Sequence, residues 1–71
     1  MISKQLLKKR LGLAIGKTIS DKRFSDFFDC FCRKYNWFYL KKRRKLTDEE
    51  ADAFSRYCGY DLRFPIPLPF M

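Results

Sequence analysis

The residues most capable of chemistry in this sequence are five consecutive cations, Lys41, Lys42, Arg43, Arg44 and Lys45. Lysine and arginine side chains bind phosphate, and neutralising several phosphates releases counterions, which gives affinity independent of base sequence. The arginine fork can also read guanine edges in the major groove. Trp37, Phe38 and Tyr39 lie just before the cations, and aromatic rings beside cations suit stacking on unpaired bases. Of the three, we select Trp37 and Tyr39 as candidate contacts. The pattern predicts a nucleic-acid-binding site over residues 37–45, although a run of charge is also common on plain solvated surface.

The distribution of charge favours the same class of partner. Residues 1–45 carry 14 Lys and Arg against three Asp (+11), and residues 46–71 carry two Arg against five Asp and Glu (−3), which together give the net +8. A strongly basic chain favours nucleic acid or an acidic protein surface as its partner. Lys8, Lys9 and Arg10 form a second cationic cluster that we expect to assist the first. DNA is the favoured ligand, and RNA and the oligomeric state stay open.

Catalytic and metal chemistry find little support in the residue types. The sequence has no histidine, and no Ser or Cys has a recognisable base partner. Gly12 and Gly16 fit no phosphate-binding loop. Cys30 and Cys32 would point about 200° apart on a helix and cannot converge on one ion. We therefore predict a non-enzymatic protein without cofactor or metal.

The three cysteines also bear on the compartment. Their number is odd, and the apolar run "LGLAIG" is too short for a secretory signal, so we expect reduced thiols in a cytoplasmic protein. No stretch approaches the length of a transmembrane helix.

Helices must position these residues, and the clearest is predicted over residues 21–35. A single stripe about 100° wide is formed there by Phe24, Phe27, Phe28, Phe31 and Tyr35. Asn36 is suited to end this helix in the left-handed conformation. A first helix is predicted over residues 2–16, from the spacing of Leu7, Leu11 and Ile15.

The stretch "WFYLKKRRK" reads as either a short helix or a strand, and we favour a helix because a lone strand would lack a partner. Thr47 with Glu50 three residues later predicts a capping box that starts the next helix, and Gly59 ends it. The acidic residues after the cations therefore interact favourably with the positive end of the helix dipole, and they need no functional explanation.

Residues 31–62 resemble, in part, a small helix-turn-helix regulator of the phage repressor or Cro kind. Cys32 precedes Asn36 by four residues, a basic segment follows, and "LTDEEADAFSRYCGYDL" matches the last part of that pattern. The resemblance implies that residues 37–45 form the recognition helix. Lys42 departs from the pattern because it stands where that helix usually buries an aliphatic side chain.

The C-terminal stretch "FPIPLPFM" cannot be helical, because Pro65, Pro67 and Pro69 alternate along it. We expect an extended apolar tail over residues 64–71, following a helical domain over residues 1–63. The tail either covers the core or docks on a partner through Phe64, Ile66, Leu68 and Phe70. In the second case the protein would be a modulator or inhibitor of a larger host enzyme or complex, of a kind that viruses encode.

The fold class that follows is all-α, a single small domain of three to four short helices with the extended proline-rich tail. The expected core is formed by Leu7, Leu11, Ile15, Phe24, Phe27, Phe28, Phe31, Tyr35, Phe54 and Leu62.

Overall fold

Three α-helices account for most of the structure, a computed structural model that describes residues 1–70. They are α1 (Lys4–Ile15), α2 (Asp21–Tyr35) and α3 (Asp48–Cys58), and a 3-10 helix (Phe38–Lys42) follows α2. Four two-residue strands complete the order: β1 (Ile2–Ser3), β2 (Lys45–Leu46), β3 (Tyr60–Asp61) and β4 (Leu68–Pro69). The mainly helical character is confirmed, and the strands were not predicted.

The helix ends follow from local side chains. The hydroxyl of Ser20 accepts the Arg23 N–H at the start of α2, and Asn36 ends that helix with φ 58°. Thr47 and Glu50 form the predicted reciprocal capping box at the start of α3. Gly59 ends α3 in the left-handed conformation. The predicted boundaries around α2 and α3 are therefore confirmed within one or two residues.

Aromatic side chains of α2 and α3 form the centre of the core. Phe31 and Phe54 are fully buried, and their ring centroids lie 5.0 Å apart in an edge-to-face arrangement. Such pairs contribute about 1 kcal/mol beyond the area that they bury. Within residues 1–70, four further apolar side chains are buried that were not in the expected core: Cys32, Leu40, Leu46 and Ala51.

Three expected core residues are less buried than predicted. Ile15 is 44% exposed, because α1 packs on the core through Leu7 and Leu11. Phe27 is 37% exposed because it lies at the edge of the stripe. Its ring centroid lies 5.1 Å from that of Tyr57. Tyr35 is half-buried against the core.

The segment favoured as a short helix over residues 37–45 is only partly helical. Its 3-10 helix stops at Lys42, and Lys45–Leu46 pairs antiparallel with Ile2–Ser3. The strand partner that seemed to be missing is thus the chain's own N-terminal segment.

The tail is free of helix over its described part, residues 64–70, and Met71 lies outside the described residues. β4 pairs antiparallel with β3, with Tyr60 opposite Pro69. The Phe70 N–H donates to the Gly59 carbonyl at 3.0 Å, so the tail backbone folds back beside the end of α3.

Candidate nucleic-acid interface

Two buried leucines fix the ends of the basic segment, which we define as residues 41–45. Leu40 and Leu46 are both fully buried. The five residues between them are all cationic, and burial of unpaired charges is costly, so their side chains stay at the surface. The side chains of Lys41, Lys42, Arg44 and Lys45 are exposed as a result, and only Arg43 is half-buried.

The Glu50 carboxylate connects the basic segment to α3. Its Oε1 accepts the Thr47 N–H at 2.8 Å and lies 3.7 Å from the Arg43 guanidinium. Its Oε2 accepts the Tyr39 hydroxyl. Burial alone would raise the pKa of Glu50, but the hydrogen bonds from Tyr39 and Thr47 outweigh burial and lower that pKa. The hydrogen bond between Tyr39 and Glu50 raises the pKa of Tyr39.

Tyr39 and Arg43 therefore have partners inside the protein. The Arg43 guanidinium also lies 5.6 Å from the centroid of the Tyr39 ring. Both were predicted to contact nucleic acid, which stays a prediction, and in the structure their polar groups contact the Glu50 carboxylate. The Tyr39 ring is about half exposed.

The N-terminus of α1 holds the other side of the basic segment through the main chain. The Lys4 N–H donates to the Arg44 carbonyl at 2.8 Å, and the Lys4 Nζ donates to the Lys41 carbonyl at 3.2 Å. The Lys4 ammonium lies 4.5 Å from the Phe28 ring centroid, and burial lowers the pKa of Lys4. These bonds use carbonyl groups of the segment and leave its cationic side chains available.

Lys4 was absent from the predicted site. Lys41 is 37 residues away along the chain, and no local sequence signal connects the two.

The second predicted cluster is divided between different surroundings. Lys8 forms an ion pair with Asp21 at 2.6 Å and lines, with Lys4 and Lys41, a cleft of about 190 Å³. The Lys8 hydrogen bond lowers the pKa of Asp21. Arg10 is half-buried and donates to the Leu62 carbonyl at 3.0 Å. Lys9 is exposed on a separate groove of about 830 Å³ along α1. The structure brings Lys8 close to the basic segment and gives Arg10 a role within the fold.

The three aromatic residues before the segment differ in availability. Trp37 is half-buried, with its ring centroid 5.2 Å from Tyr35 and 6.0 Å from Phe31. Phe38 was noted beside the cations but not selected as a contact residue; it is 47% exposed, and its ring centroid lies 5.4 Å from the Lys41 Nζ. The three residues are consecutive bulky aromatics, so the sequence does not distinguish them. Their availability to a ligand depends on the direction of each side chain.

The tail residues predicted to bind a partner also differ from one another. Phe64, Ile66 and Leu68 are each more than half exposed. Phe70 is half-buried, and the Arg56 guanidinium lies 4.9 Å from its ring centroid. Three of the four apolar side chains thus face solvent, although the tail backbone is anchored by β3.

The chain matches no protein-family model, no curated protein and no solved structure. Within residues 1–70, none of the helices has the length and apolar character needed to cross a membrane.

Proposed function

We propose that this protein is a non-catalytic, basic nucleic-acid-binding protein with a regulatory role, and that the basic segment is its main contact surface. The carrying observation is that Lys41, Lys42, Arg44 and Lys45 are exposed and that, among residues 1–70, none of the four forms an ion pair. Four free cations within five residues are a ready surface for consecutive phosphates. DNA is the ligand to test first, and RNA should be tested in parallel.

The proposed contact does not require a recognition helix. The 3-10 helix has five residues and is therefore roughly 10 Å long. Beyond it, Arg44 lies at a bend and Lys45 begins β2, and phosphate contacts made by Lys and Arg side chains do not depend on a helix. The resemblance to helix-turn-helix regulators remains a prediction.

Replacing the four free cations by glutamine tests the proposal. The slope of log K against log salt for B-DNA is about −0.9 per phosphate neutralised, so loss of four contacts should flatten it by about 3–4. Fluorescence anisotropy with a labelled 20-base-pair duplex, between about 50 and 200 mM salt, measures both slope and affinity.

A charge-matched control separates a local surface from total charge. Lys17, Lys22, Arg23 and Arg33 are all exposed, and replacing these four by glutamine also lowers the net charge from +8 to +4. We expect this control to keep most of the wild-type slope. Equal losses in the two variants, or no salt-sensitive binding by the wild-type protein, would refute the proposal.

A second candidate function is that of a protein-binding modulator that docks through its tail. The observation in its favour is the exposure of Phe64, Ile66 and Leu68 in a tail whose strand, Leu68–Pro69, pairs with β3. A tail anchored at this strand loses less conformational entropy on binding than a free one, and its apolar side chains can fill pockets of a partner.

A further inference from the structure

Phe38 differs from its aromatic neighbours because its side chain is neither packed against α2 nor held by a hydrogen bond. The Trp37 ring packs on α2, and the Tyr39 hydroxyl is bonded to Glu50. Phe38 lies between them with nearly half of its surface exposed. It has no polar atom that would favour this position, so its exposure brings the fold no hydrogen bond and leaves apolar area in water.

The surroundings of Phe38 are cationic. Lys41 lies over its ring, and the exposed residues Lys42, Arg44 and Lys45 follow in the chain. A flat ring next to several free cations has the two parts that single-stranded nucleic acids need: a surface for a base and contacts for the flanking phosphates. A duplex would use only the cations, since its bases are already stacked on one another.

The local backbone favours the same class of ligand. The 3-10 helix is short, and the strand that follows it, Lys45–Leu46, has Leu46 buried in the core. Reading of the major groove is done by an α-helix or a two-stranded ribbon that fits into it. The β1–β2 pair is only two residues long, so the segment offers neither element at useful length.

We propose that the site binds unpaired nucleotides of single-stranded DNA or RNA, with one base stacked on Phe38 and the flanking phosphates held by Lys41, Lys42, Arg44 and Lys45. This inference rests on the proposed nucleic-acid-binding function and names its substrate class. Alanine substitution of one stacking platform lowers affinity about 5- to 150-fold, which corresponds to about 1–3 kcal/mol.

The experiment compares four labelled probes of 20 nucleotides with the full chain: single-stranded DNA, single-stranded RNA, the corresponding DNA duplex, and an abasic DNA strand. The variants are Phe38→Ala, Phe38→Trp and Phe64→Ala. Phe64 is the matched control, because it is the same residue type, 57% exposed, and lies in the tail. Circular dichroism confirms that each variant is folded.

We expect the wild-type protein to bind a single strand more tightly than the duplex or the abasic strand. Phe38→Ala should lose about tenfold on base-bearing single strands, with an unchanged salt slope and unchanged binding to the abasic strand. Phe38→Trp should retain the affinity, and Phe64→Ala should behave as wild type. The DNA and RNA arms show which backbone is preferred.

Tighter binding to the duplex, or equal affinity of Phe38→Ala and wild type for single strands, would overturn the inference. If salt-sensitive binding that depends on the four cations persists in that case, the proposed function stands and only the substrate class fails. If no probe binds, both fail.

Discussion

At the scale of single residues, the carboxylate of Glu50 stabilises two parts of the structure. It completes the N-terminal cap of α3 and accepts the Tyr39 hydroxyl from the segment that leads into the cations. Its side chain is mostly buried, so loss of its charge would weaken both hydrogen bonds, because a neutral oxygen is a poorer acceptor than a carboxylate. We infer that the shape of the candidate interface depends on the ionised state of this residue.

Replacing Glu50 by glutamine should lower the free energy of unfolding at pH 7 by about 1–2 kcal/mol, since a charged acceptor is lost while the cap geometry is retained. The folded-state pKa of Glu50 is below its ordinary value of 4.5, so its contribution is full above pH 4.5 and disappears as the pH falls through the folded pKa. The difference from wild type should therefore shrink below pH 4.5. Urea unfolding followed by circular dichroism at pH 7, 4.5 and 3 measures it.

Glu49→Gln is the control for this change, because Glu49 is exposed and next in the chain. It should alter stability by less than about 0.5 kcal/mol at any of these pH values. A Glu50→Gln deficit that stays constant down to pH 3 would contradict the assigned role of the charge.

At the scale of elements, the end of α1 shows that helix propensity and packing can oppose each other. Gly12 lies inside the helix, where glycine is ordinarily unfavourable by about 1 kcal/mol relative to alanine. The chain turns back at Gly16, which has φ 71°, and the Lys17 N–H donates to the Gly12 carbonyl. A Cβ atom at position 12 would lie 2.7 Å from the Lys17 carbonyl oxygen.

Gly12→Ala should therefore destabilise the protein, by about 1 kcal/mol or more, where propensity alone would predict a gain of similar size. Thermal unfolding by circular dichroism gives the sign directly. Lys9→Ala places alanine at an exposed position of the same helix and should be nearly neutral. A rise in melting temperature for Gly12→Ala would show that the backbone relaxes without cost.

The elements that the sequence predicts well are those with local signals. The phenylalanine spacing of α2, the left-handed Asn36 and the Thr47–Glu50 box each act within a few residues, and all appear in the structure. The β1–β2 pair could not be predicted in the same way, because two residues on each side carry no periodicity. The exposure of Phe38 also depends on contacts from distant segments.

At the scale of the whole molecule, the sequence predicts the candidate site as a set of cations. The structure separates the cations that are free from those that are bonded to other groups of the protein. The run of charge was enough to locate the basic segment. It could not show that Arg43 is held by Glu50 or that Arg10 is held by the Leu62 carbonyl. Those partners are distant in the chain or depend on buried neighbours, so charge alone does not separate free from engaged side chains.

Deleting residues 64–71 should leave the helical circular dichroism spectrum almost unchanged. Leu62, the last fully buried residue among residues 1–70, stays in the shortened chain, and Phe64, Ile66 and Leu68 are mostly solvated. If the second candidate function holds, nuclease-resistant capture of a protein partner from lysate should be lost with the tail.

The full-length chain with serine at positions 64, 66 and 68 is the control for the deletion, since it keeps the tail backbone. It should lose the same partner capture and retain the same spectrum. Loss of helical signal on deletion would show instead that the tail is part of the folded core.

The pairing of Ile2 with Leu46 has a consequence for the order in which the chain assembles. It closes a loop of more than forty residues, and ordering so long a loop has an entropic cost that local helix contacts do not have. Non-local contacts of this kind form slowly relative to helices. The cations would then reach their final arrangement only after α1 and α2 have packed, so a nascent or partly folded chain would carry the charge of the binding surface without its geometry.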